Sequence, residues 1–175
     1  MAVYRYQDKQ PVIGSQCYIA DSACVIGDVT LGEGCYVGPG AVIRGDYGRI
    51  VIGDMTAVEE NVVIHARPGQ TCTVGPLVTL GHGCVVHNVT MIHEGAVIGM
   101  GSVVSDWAVV GPWAAVGEGA LVKNRQEIPE RAIAVGVPAM VKGRTSDEWV
   151  EQWRANKMKY VELARTYPRD VTRIG

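Results

Sequence analysis

Three of the four histidines in this chain of 175 residues stand at positions from which they could bind a metal ion: His65, His82 and His87. Neutral imidazole is the commonest metal ligand in proteins, and three imidazoles with an open fourth position are typical of a catalytic zinc site. A zinc ion held in this way generates hydroxide from water near neutral pH. The same ligands also suit Fe²⁺ and Co²⁺. Whether the three side chains can meet depends on the elements that carry them.

An aliphatic residue recurs at every sixth position through most of the chain, in two long series with a shorter one between them. The repeat positions are Ile13, Ile19, Val25, Leu31, Val37, Ile43, Ile52, Val58, Ile64, Val74, Leu80, Val86, Ile92, Ile98, Val104, Val110, Val116 and Val122. A period of six fits neither an amphipathic helix nor a flat sheet. It predicts a hexapeptide-repeat β-helix, which is a triangular prism of short parallel strands. Three hexapeptides make one turn, so the series predicts six turns.

The repeat is interrupted twice. Three extra residues separate Ile43 from Ile52, and four extra residues separate Ile64 from Val74. Insertions in solenoids form loops on one side, which is often the functional side. Glycine often follows the aliphatic residue, as at Gly111, and we expect such glycines to form the corners with backbone angles that glycine adopts easily.

The repeat also predicts which side chains lie above one another. We call the faces that begin with Ile13, Ile19 and Val25 faces A, B and C. Neighbouring strands lie about 4.8 Å apart, so His65 and His87, which follow aliphatic residues of face C, are predicted to be stacked. Arg44 is predicted one turn below His65 in the same column.

His82 belongs to face B, because it comes two residues after Leu80, and within one chain it points away from the column on face C. In a threefold trimer of prisms, face B of one chain meets face C of the next, and His82 can then complete the site. Glu60 is predicted one turn below His82. Either it pairs with Arg44 across this interface, or both residues are solvated surface charges.

The charge and the cysteine count narrow the class of protein. The formal net charge is −2 and the isoelectric point is about 6.1, so a nucleic-acid partner is not expected. No apolar run is long enough to span a bilayer, and the first residues lack the apolar stretch of a signal peptide. The five cysteines form no CxxC pair, and their odd number excludes a complete disulfide framework within one chain. We therefore expect a cytoplasmic protein whose thiols fill small core positions.

The six-residue period is predicted to end after Val122. Farther on, Thr145 and Glu148 have the spacing of a capping box, with Thr145 as the N-cap. Trp149, Trp153 and Tyr160 follow at helical spacing, so we expect a terminal helix that packs on the prism and stops near Pro168. The chain is therefore predicted to have a β-helix domain over residues 1–140, with repeats over about 13–127, followed by a helix and tail over residues 141–175.

Five separated segments resemble the γ-class carbonic anhydrases, in the order of that family and over roughly residues 10–165. They are Ile43-Arg44-Gly45-Asp46, Glu59-Glu60 through His65, Leu80 through His87, Ile98 through Gly101 and Val135 through Ala139. The resemblance implies an all-β fold with a C-terminal helix, a left-handed parallel β-helix, a homotrimer and three metal sites at its interfaces. It also implies His65, His82 and His87 as ligands of Zn²⁺, with Fe²⁺ or Co²⁺ as alternatives. Arg44 and Asp46 resemble the structural ion pair of the family.

The chain departs from the family pattern in three places, one of which is Tyr47, where the family has a Glu after the Arg-x-Asp motif. Glu59 and Glu60 stand where the family has Gln and Asp, so we expect Glu59 either to accept a hydrogen bond from the reacting water or to act as a base. The segment 66–73 carries no carboxylate, whereas the family has a proton-shuttle Glu in its acidic loop. Tyr160 resembles a tyrosine that shorter homologues place near the metal, although it could equally be a helix residue packed on the prism. Within the family, the segment 45–51 looks closer to accessory proteins of phenylacetate and carnitine operons.

The main functional prediction is a metal-dependent lyase that reversibly hydrates CO₂ to bicarbonate. One alternative is hydrolysis of a CoA thioester at the same metal, which would make acyl-CoA the substrate. Another is acyl transfer, as in other hexapeptide proteins, and the last is a non-catalytic trimeric accessory protein. Neither a membrane nor a nucleic acid is an expected partner.

Overall fold

A computed structural model describes residues 2–174 of the chain, so the outer limits of the two predicted parts, residues 1 and 175, lie outside the described residues. The strands in chain order are β1 (Ala2–Tyr4), β2 (Val12–Ile13), β3 (Tyr18–Ile19), β4 (Cys24–Leu31), β5 (Tyr36–Val37), β6 (Val42–Ile52), β7 (Ala57–Val58), β8 (Val63–His65), β9 (Thr71–Val74), β10 (Thr79–Leu80), β11 (Val85–His87), β12 (Met91–Ile92), β13 (Val97–Ile98), β14 (Val103–Val104), β15 (Val109–Val110), β16 (Ala115–Val116), β17 (Leu121–Val122), β18 (Glu127–Ile128), β19 (Ala132–Val135) and β20 (Met140–Arg144). One helix, α1 (Asp147–Asp170), follows them.

The strands form the predicted parallel β-helix. Face B is the sheet β3-β5-β7-β10-β13-β16-β19, and each of its strands pairs in parallel with the strand one turn away. Faces A and C are joined into one sheet because the long strands β4 and β6 continue from face C around a corner to face A. The repeat residues point inward and are buried, as at Ile43, Ile64 and Val86. Burial of this aliphatic column is the main source of stability.

The prism has about seven turns rather than the six that the repeat predicted. Ile128 pairs with Val110 on face A, and Ala134 pairs with Val116 on face B, so the period continues beyond Val122. The predicted end of the repeat near residue 127 is therefore wrong. At the other end, β1 adds a further strand to face C by pairing with β4.

The upper end of the prism is closed by the chain itself. β20 pairs antiparallel with β19 at the edge of face B. On face C, the backbone of Leu121 accepts a hydrogen bond from Ala139 (2.7 Å) and donates one to Gly136 (3.0 Å). Two faces of the last turn are thus covered by the segment that leads to α1.

The glycines that follow the aliphatic residues have a different role from the one predicted. Left-handed backbone occurs three residues after the aliphatic residue, at Gly101 but also at Asn61 and Trp113. Gly111 lies outside that region, and a Cβ atom there would lie 2.5 Å from the backbone nitrogen of Glu130 in the next turn. Glycine is required at this position because successive turns approach closely, and not because of its backbone angles.

Helix α1 lies along face B, where it contacts β3, β5 and β7. Its N-cap is Ser146, whose side chain accepts a hydrogen bond from the backbone of Trp149 (3.1 Å). The prediction of Thr145 as N-cap is wrong by one residue, because the Thr145 hydroxyl instead donates to the carbonyl of Trp113. Pro168 lies in the last turn of the helix. Within residues 2–174, no helix has the length and apolar character needed to cross a membrane.

Candidate metal centre

His65 and His87 are stacked on face C, as the column predicts. They end strands β8 and β11, which pair in register so that His87 lies opposite His65 and His65 lies opposite Arg44. The centroids of the two imidazole rings are 5.5 Å apart and the ring planes are inclined by 45°. Both side chains are partly buried, so their ring nitrogens are held close to the protein surface.

The first insertion places Asp46 beside His65. The Asp46 carboxylate lies 3.1 Å from Nε2 of His65 and also accepts a hydrogen bond from Arg44, as in the predicted ion pair. Although partial burial opposes the effect, the hydrogen bonds from Arg44 and His65 hold the pKa of Asp46 below its usual value. The ring centroid of Tyr47 lies 5.8 Å from the ring centroid of His65, so Tyr47 borders the same site.

His87 has an equivalent carboxylate contact, and the second insertion supplies the arginine that holds this carboxylate. Oδ1 of Asp106 lies 3.1 Å from Nδ1 of His87, and Arg67 donates from Nε and from a terminal nitrogen to both oxygens of Asp106. The hydrogen bond from Arg67 is the main reason that the pKa of Asp106 is lowered. Asp106 and Arg67 were not among the residues predicted from the sequence. Asp106 comes two residues after Val104, the repeat residue one turn above Val86, so the column arithmetic could have found it.

His82 lies between two carboxylates on face B. Oε2 of Glu59 is 3.1 Å from Nε2 of His82 and also accepts a hydrogen bond from the His82 backbone (3.1 Å), while Glu60 contacts Nδ1. The hydroxyl of Tyr36 donates to the other oxygen of Glu60 (3.0 Å). Glu60 thus has partners within its own chain, and its pairing with Arg44 of another subunit stays a prediction.

Helix α1 brings Tyr160 and Lys157 to face B, the face on which His82 lies. Burial raises the pKa of the Tyr160 hydroxyl, and a hydrogen bond to Glu59 raises it further. Lys157 is buried, and its Nζ donates to the hydroxyl of Thr79 (2.9 Å) and to the carbonyl of Ala96 (3.3 Å). The sequence analysis placed Tyr160 on this helix but missed Lys157, because a lysine at helical spacing carries no signal of burial.

An apolar cleft of about 420 Å³ opens beside Glu59 and His82 on face B. Its floor is formed by face B around Ile98, and the indoles of Trp149 and Trp153 from α1 form a wall. This volume falls in the range of small-molecule pockets, which are mostly apolar with a few polar groups. The cleft is larger than a triatomic substrate requires.

Within one chain, the structure therefore brings His65 together with His87, and His82 together with Glu59 and Glu60. Among residues 2–174 of a single chain, no three His, Cys, Asp or Glu side chains form a group that could hold a metal ion. The three predicted ligands lie on two faces of the prism, as the repeat arithmetic requires.

Known proteins resemble the chain in both sequence and fold. Residues 10–45 match the model of the bacterial transferase hexapeptide, described as six repeats. A protein of Methanocaldococcus jannaschii named "Probable carbonic anhydrase" is 37% identical over 155 residues, which cover 89% of this chain and 97% of that protein. The carnitine operon protein CaiE of Citrobacter koseri is 34% identical and is matched over 94% of this chain and 83% of its own length.

The fold has solved counterparts. A hexapeptide transferase family protein from Anaplasma phagocytophilum superimposes with a TM-score of 0.90 at 29% identity, over 95% of this chain and 98% of that one. The repeat, the fold and the near-complete match to a carbonic anhydrase relative agree with one another. The chain belongs to the hexapeptide-repeat family that includes the γ carbonic anhydrases and CaiE.

Proposed function

We propose that the chain is a cytoplasmic homotrimer in which His65 and His87 of one subunit and His82 of the next hold a divalent metal ion, and that the trimer reversibly hydrates CO₂. Zinc is the proposed ion, with Fe²⁺ or Co²⁺ as alternatives that the same imidazoles suit. The observation that supports this most is the stacked pair His65 and His87, in which a carboxylate engages one nitrogen of each ring.

The residues present fit a metal ion. Metal-binding histidines generally use their second ring nitrogen to contact a carboxylate or carbonyl, which fixes the orientation of the ring and raises its basicity. Asp46 and Asp106 stand in that relation to His65 and His87. Both aspartates are in turn held by arginines. Such support is characteristic of ligands whose geometry must be maintained.

His82 can also bind the metal ion if its Nε2 atom exchanges the contact with Glu59 for the ion. Nε2 of His82, which now lies near Glu59, would face the metal, and Nδ1 would keep its contact with Glu60. Glu60 would then play for His82 the part that Asp46 plays for His65. The exchange leaves the Glu59 carboxylate beside the ion, where a negative charge is stabilised.

The remaining chemistry follows from the chain's own side chains. When bound, an ion of this kind supplies Lewis acidity and generates hydroxide from water near neutral pH. Glu59 is buried and receives a hydrogen bond from the His82 backbone, so its second oxygen can orient the reacting water or accept its proton. The hydroxyl of Tyr160 fixes the direction of that carboxylate. Proton release to solvent needs another group, since the segment 66–73 has no carboxylate.

Metal content and mass in solution test this proposal together. The purified protein is expected to be a trimer by light scattering and to hold three ions per trimer by elemental analysis. His65→Ala, His82→Ala and His87→Ala are each expected to lose most of the metal, whereas His93→Ala, which replaces the fourth histidine, is expected to retain it. A monomer, or a His82→Ala variant with unchanged metal content, would refute the shared site. Stopped-flow CO₂ hydration by the zinc-loaded and iron-loaded protein then tests the activity.

The cleft beside Glu59 favours a second candidate, which is chemistry on an acyl-CoA. A pocket of about 420 Å³ with an indole wall could hold an acyl group, and the Anaplasma phagocytophilum relative is named as a transferase family protein. Acyl-CoA turnover that chelation abolishes would indicate metal-dependent thioester hydrolysis. Turnover that persists in metal-free protein would indicate acyl transfer, and a metal-bound trimer with neither activity would indicate an accessory protein.

A further inference from the structure

Two of the five cysteines lie at the same place in neighbouring turns. Cys17 precedes β3 and Cys35 precedes β5, and these strands pair with Tyr18 opposite Tyr36. The backbone N–H of Tyr18 donates to the carbonyl of Cys35 (2.9 Å). Residues stacked in this way have Cα atoms about 4.8 Å apart, and disulfides require roughly 4.4–6.8 Å. The backbone therefore already holds the two residues at bonding distance.

The Cys17 thiol donates to the carbonyl of Gly32 (3.0 Å) and the Cys35 thiol to the carbonyl of Gly53 (3.2 Å). The two side chains also interact with each other, with opposite effects on their pKa values. A hydrogen bond from Cys35 lowers the pKa of Cys17 to about 7, although partial burial opposes the effect. The same contact, together with burial, raises the pKa of the Cys35 thiol. The thiols of Cys72 and Cys84 are buried in the prism, and burial raises the pKa of each to about 12. The pair thus combines Cys17, whose thiol is partly ionised near neutral pH, with Cys35, whose thiol is buried and stays protonated.

Cys17 is also the accessible member of the pair. It lies in the first turn of faces A and B, where the inward-pointing Ile13 is only partly buried against the core. Cys17 itself is partly exposed, whereas Cys35 in the turn above is buried. Reactive cysteines are typically accessible and ionised, and redox-active ones often have a second thiol nearby.

We propose that Cys17 and Cys35 are a redox-active dithiol site that reacts with small-molecule disulfides and closes a disulfide bond between the first two turns. The Cys17 thiolate attacks one sulfur of the small disulfide, so that a mixed disulfide forms and one small thiolate leaves. The Cys35 thiolate then attacks the Cys17 sulfur, and the second small thiolate leaves. Two protein thiols are oxidised, one small disulfide is reduced to two thiols, and the two cysteine protons pass through solvent to the leaving thiolates.

The bond would restrain the open end of the prism. Terminal repeats of a solenoid have a neighbour on one side alone and open most readily. The last turns of α1 pack at this same corner, where Arg165 donates to Gln16 (3.2 Å). A cross-link between the first two turns restricts the unfolded chain, so oxidation is expected to raise the thermal midpoint by several degrees.

Oxidised glutathione is the probe for the test. The full-length reduced protein is incubated with it under native conditions, quenched by alkylation and digested with Asp-N protease. Cleavage before Asp8, Asp21, Asp28 and Asp46 puts Cys17, Cys24 and Cys35 in three different peptides. The expected product links residues 8–20 to residues 28–45, and the intact mass of a sample taken before alkylation falls by two hydrogens with no glutathione retained.

Three variants separate the steps. Cys35→Ser is expected to stop at the mixed disulfide on Cys17, Cys17→Ser is expected to leave Cys35 reduced because it is buried, and Cys24→Ser is expected to behave as the wild type. A wild-type product that retains glutathione, a Cys17–Cys24 link, or the absence of any reaction would each refute the proposal. Because the metal ligands are on other turns, the result is independent of the proposed activity.

Discussion

At the scale of single residues, the buried Lys157 has the clearest measurable consequence. Its side chain is 2% exposed, and its hydrogen-bond acceptors are the hydroxyl of Thr79 and the carbonyl of Ala96. The ring centroid of Trp153 lies 5.4 Å from Nζ. Burial lowers the pKa of Lys157 to about 7, although the nearby Glu59 opposes the effect. The charged form of Lys157 is therefore less favourable in the folded protein than in the unfolded chain.

The stability of the fold should consequently rise with pH. The pKa of Lys157 is about 7 in the folded chain and about 10.5 when the chain is unfolded, so between these values the unfolded chain binds a proton that the folded chain does not. The free energy of unfolding is expected to increase from pH 7 towards pH 10. Lys157→Met should flatten this part of the profile and stabilise the protein at pH 7, as measured by urea unfolding. Lys159→Met, at an exposed position of the same helix, should retain the wild-type slope, and an equal slope in both variants would contradict the account.

The carboxylates that hold the histidines give a second prediction at this scale. Asp106→Asn keeps the shape of the side chain but removes the charge that faces His87 and Arg67. We expect the affinity for the metal ion to fall by about 10–100-fold, measured by competition with a chelator of known strength. Asp147→Asn, which removes a charge paired with Arg131 and not with a histidine, is the matched control. Equal affinity in the two variants would mean that Asp106 does not support the ligand.

The sequence predicts some of these residues and misses others for a physical reason. The stacking of His65 and His87 follows from the period alone, because the strand spacing fixes the backbone and the side chains share a face. Arg67 and Lys157 act through long side chains that reach from an insertion or from the helix to another element, whereas the place of Asp106 one turn above the His87 strand follows from the period. Arg67 and Asp106, for example, are 39 residues apart. Such contacts depend on side-chain conformations that periodicity does not determine.

At the scale of elements, the two insertions and the helix position the site. The insertion inside β6 carries Asp46, the one after β8 carries Arg67, and α1 carries Tyr160 and Lys157. The sequence located both insertions by the broken period. It misplaced the helix cap by one residue because Thr145 and Ser146 are both good N-caps, and the choice depends on the contact between Thr145 and Trp113.

The cap itself can be tested. Ser146→Ala removes the acceptor for the backbone N–H of Trp149 and is expected to lower the free energy of unfolding by about 1 kcal/mol. Ser146→Asp should restore most of that loss, since aspartate caps equally well and favours the positive end of the helix dipole. Thermal unfolding followed by circular dichroism measures both variants. If Ser146→Asp were as unstable as Ser146→Ala, capping would not be the cause.

At the scale of the whole molecule, the close stacking of turns limits which residues fit. Gly111→Ala would put a Cβ atom against the backbone of the next turn at Glu130, so we expect a loss of about 2 kcal/mol or more. Gly143→Ala is the control, because a Cβ atom there meets its nearest neighbour, a side-chain carbon of Ile133, at 3.9 Å. Chemical denaturation of the two variants should separate them clearly. Similar stabilities would show that the turns can move apart at little cost.

The overall architecture was predictable because each turn repeats the same local arrangement. The prediction that the period ends after Val122 missed Ile128, which lies six residues farther on and pairs with Val110, and Ala134, where the step continues with a smaller residue. Ala134 is buried in β19, which pairs with β16 on one side and with β20 on the other. A smaller side chain thus marks the last turn rather than the end of the repeat.

That returning strand also limits how copies of the molecule can meet. A parallel β-helix whose final coil was left bare would offer its edge as a template on which another copy could continue the winding, and filaments would grow along the axis. Here face B ends in a strand of opposite direction, and the segment through Ala139 occupies the backbone of Leu121 on face C. Parallel continuation of the winding is therefore disfavoured on faces B and C at this end of the prism.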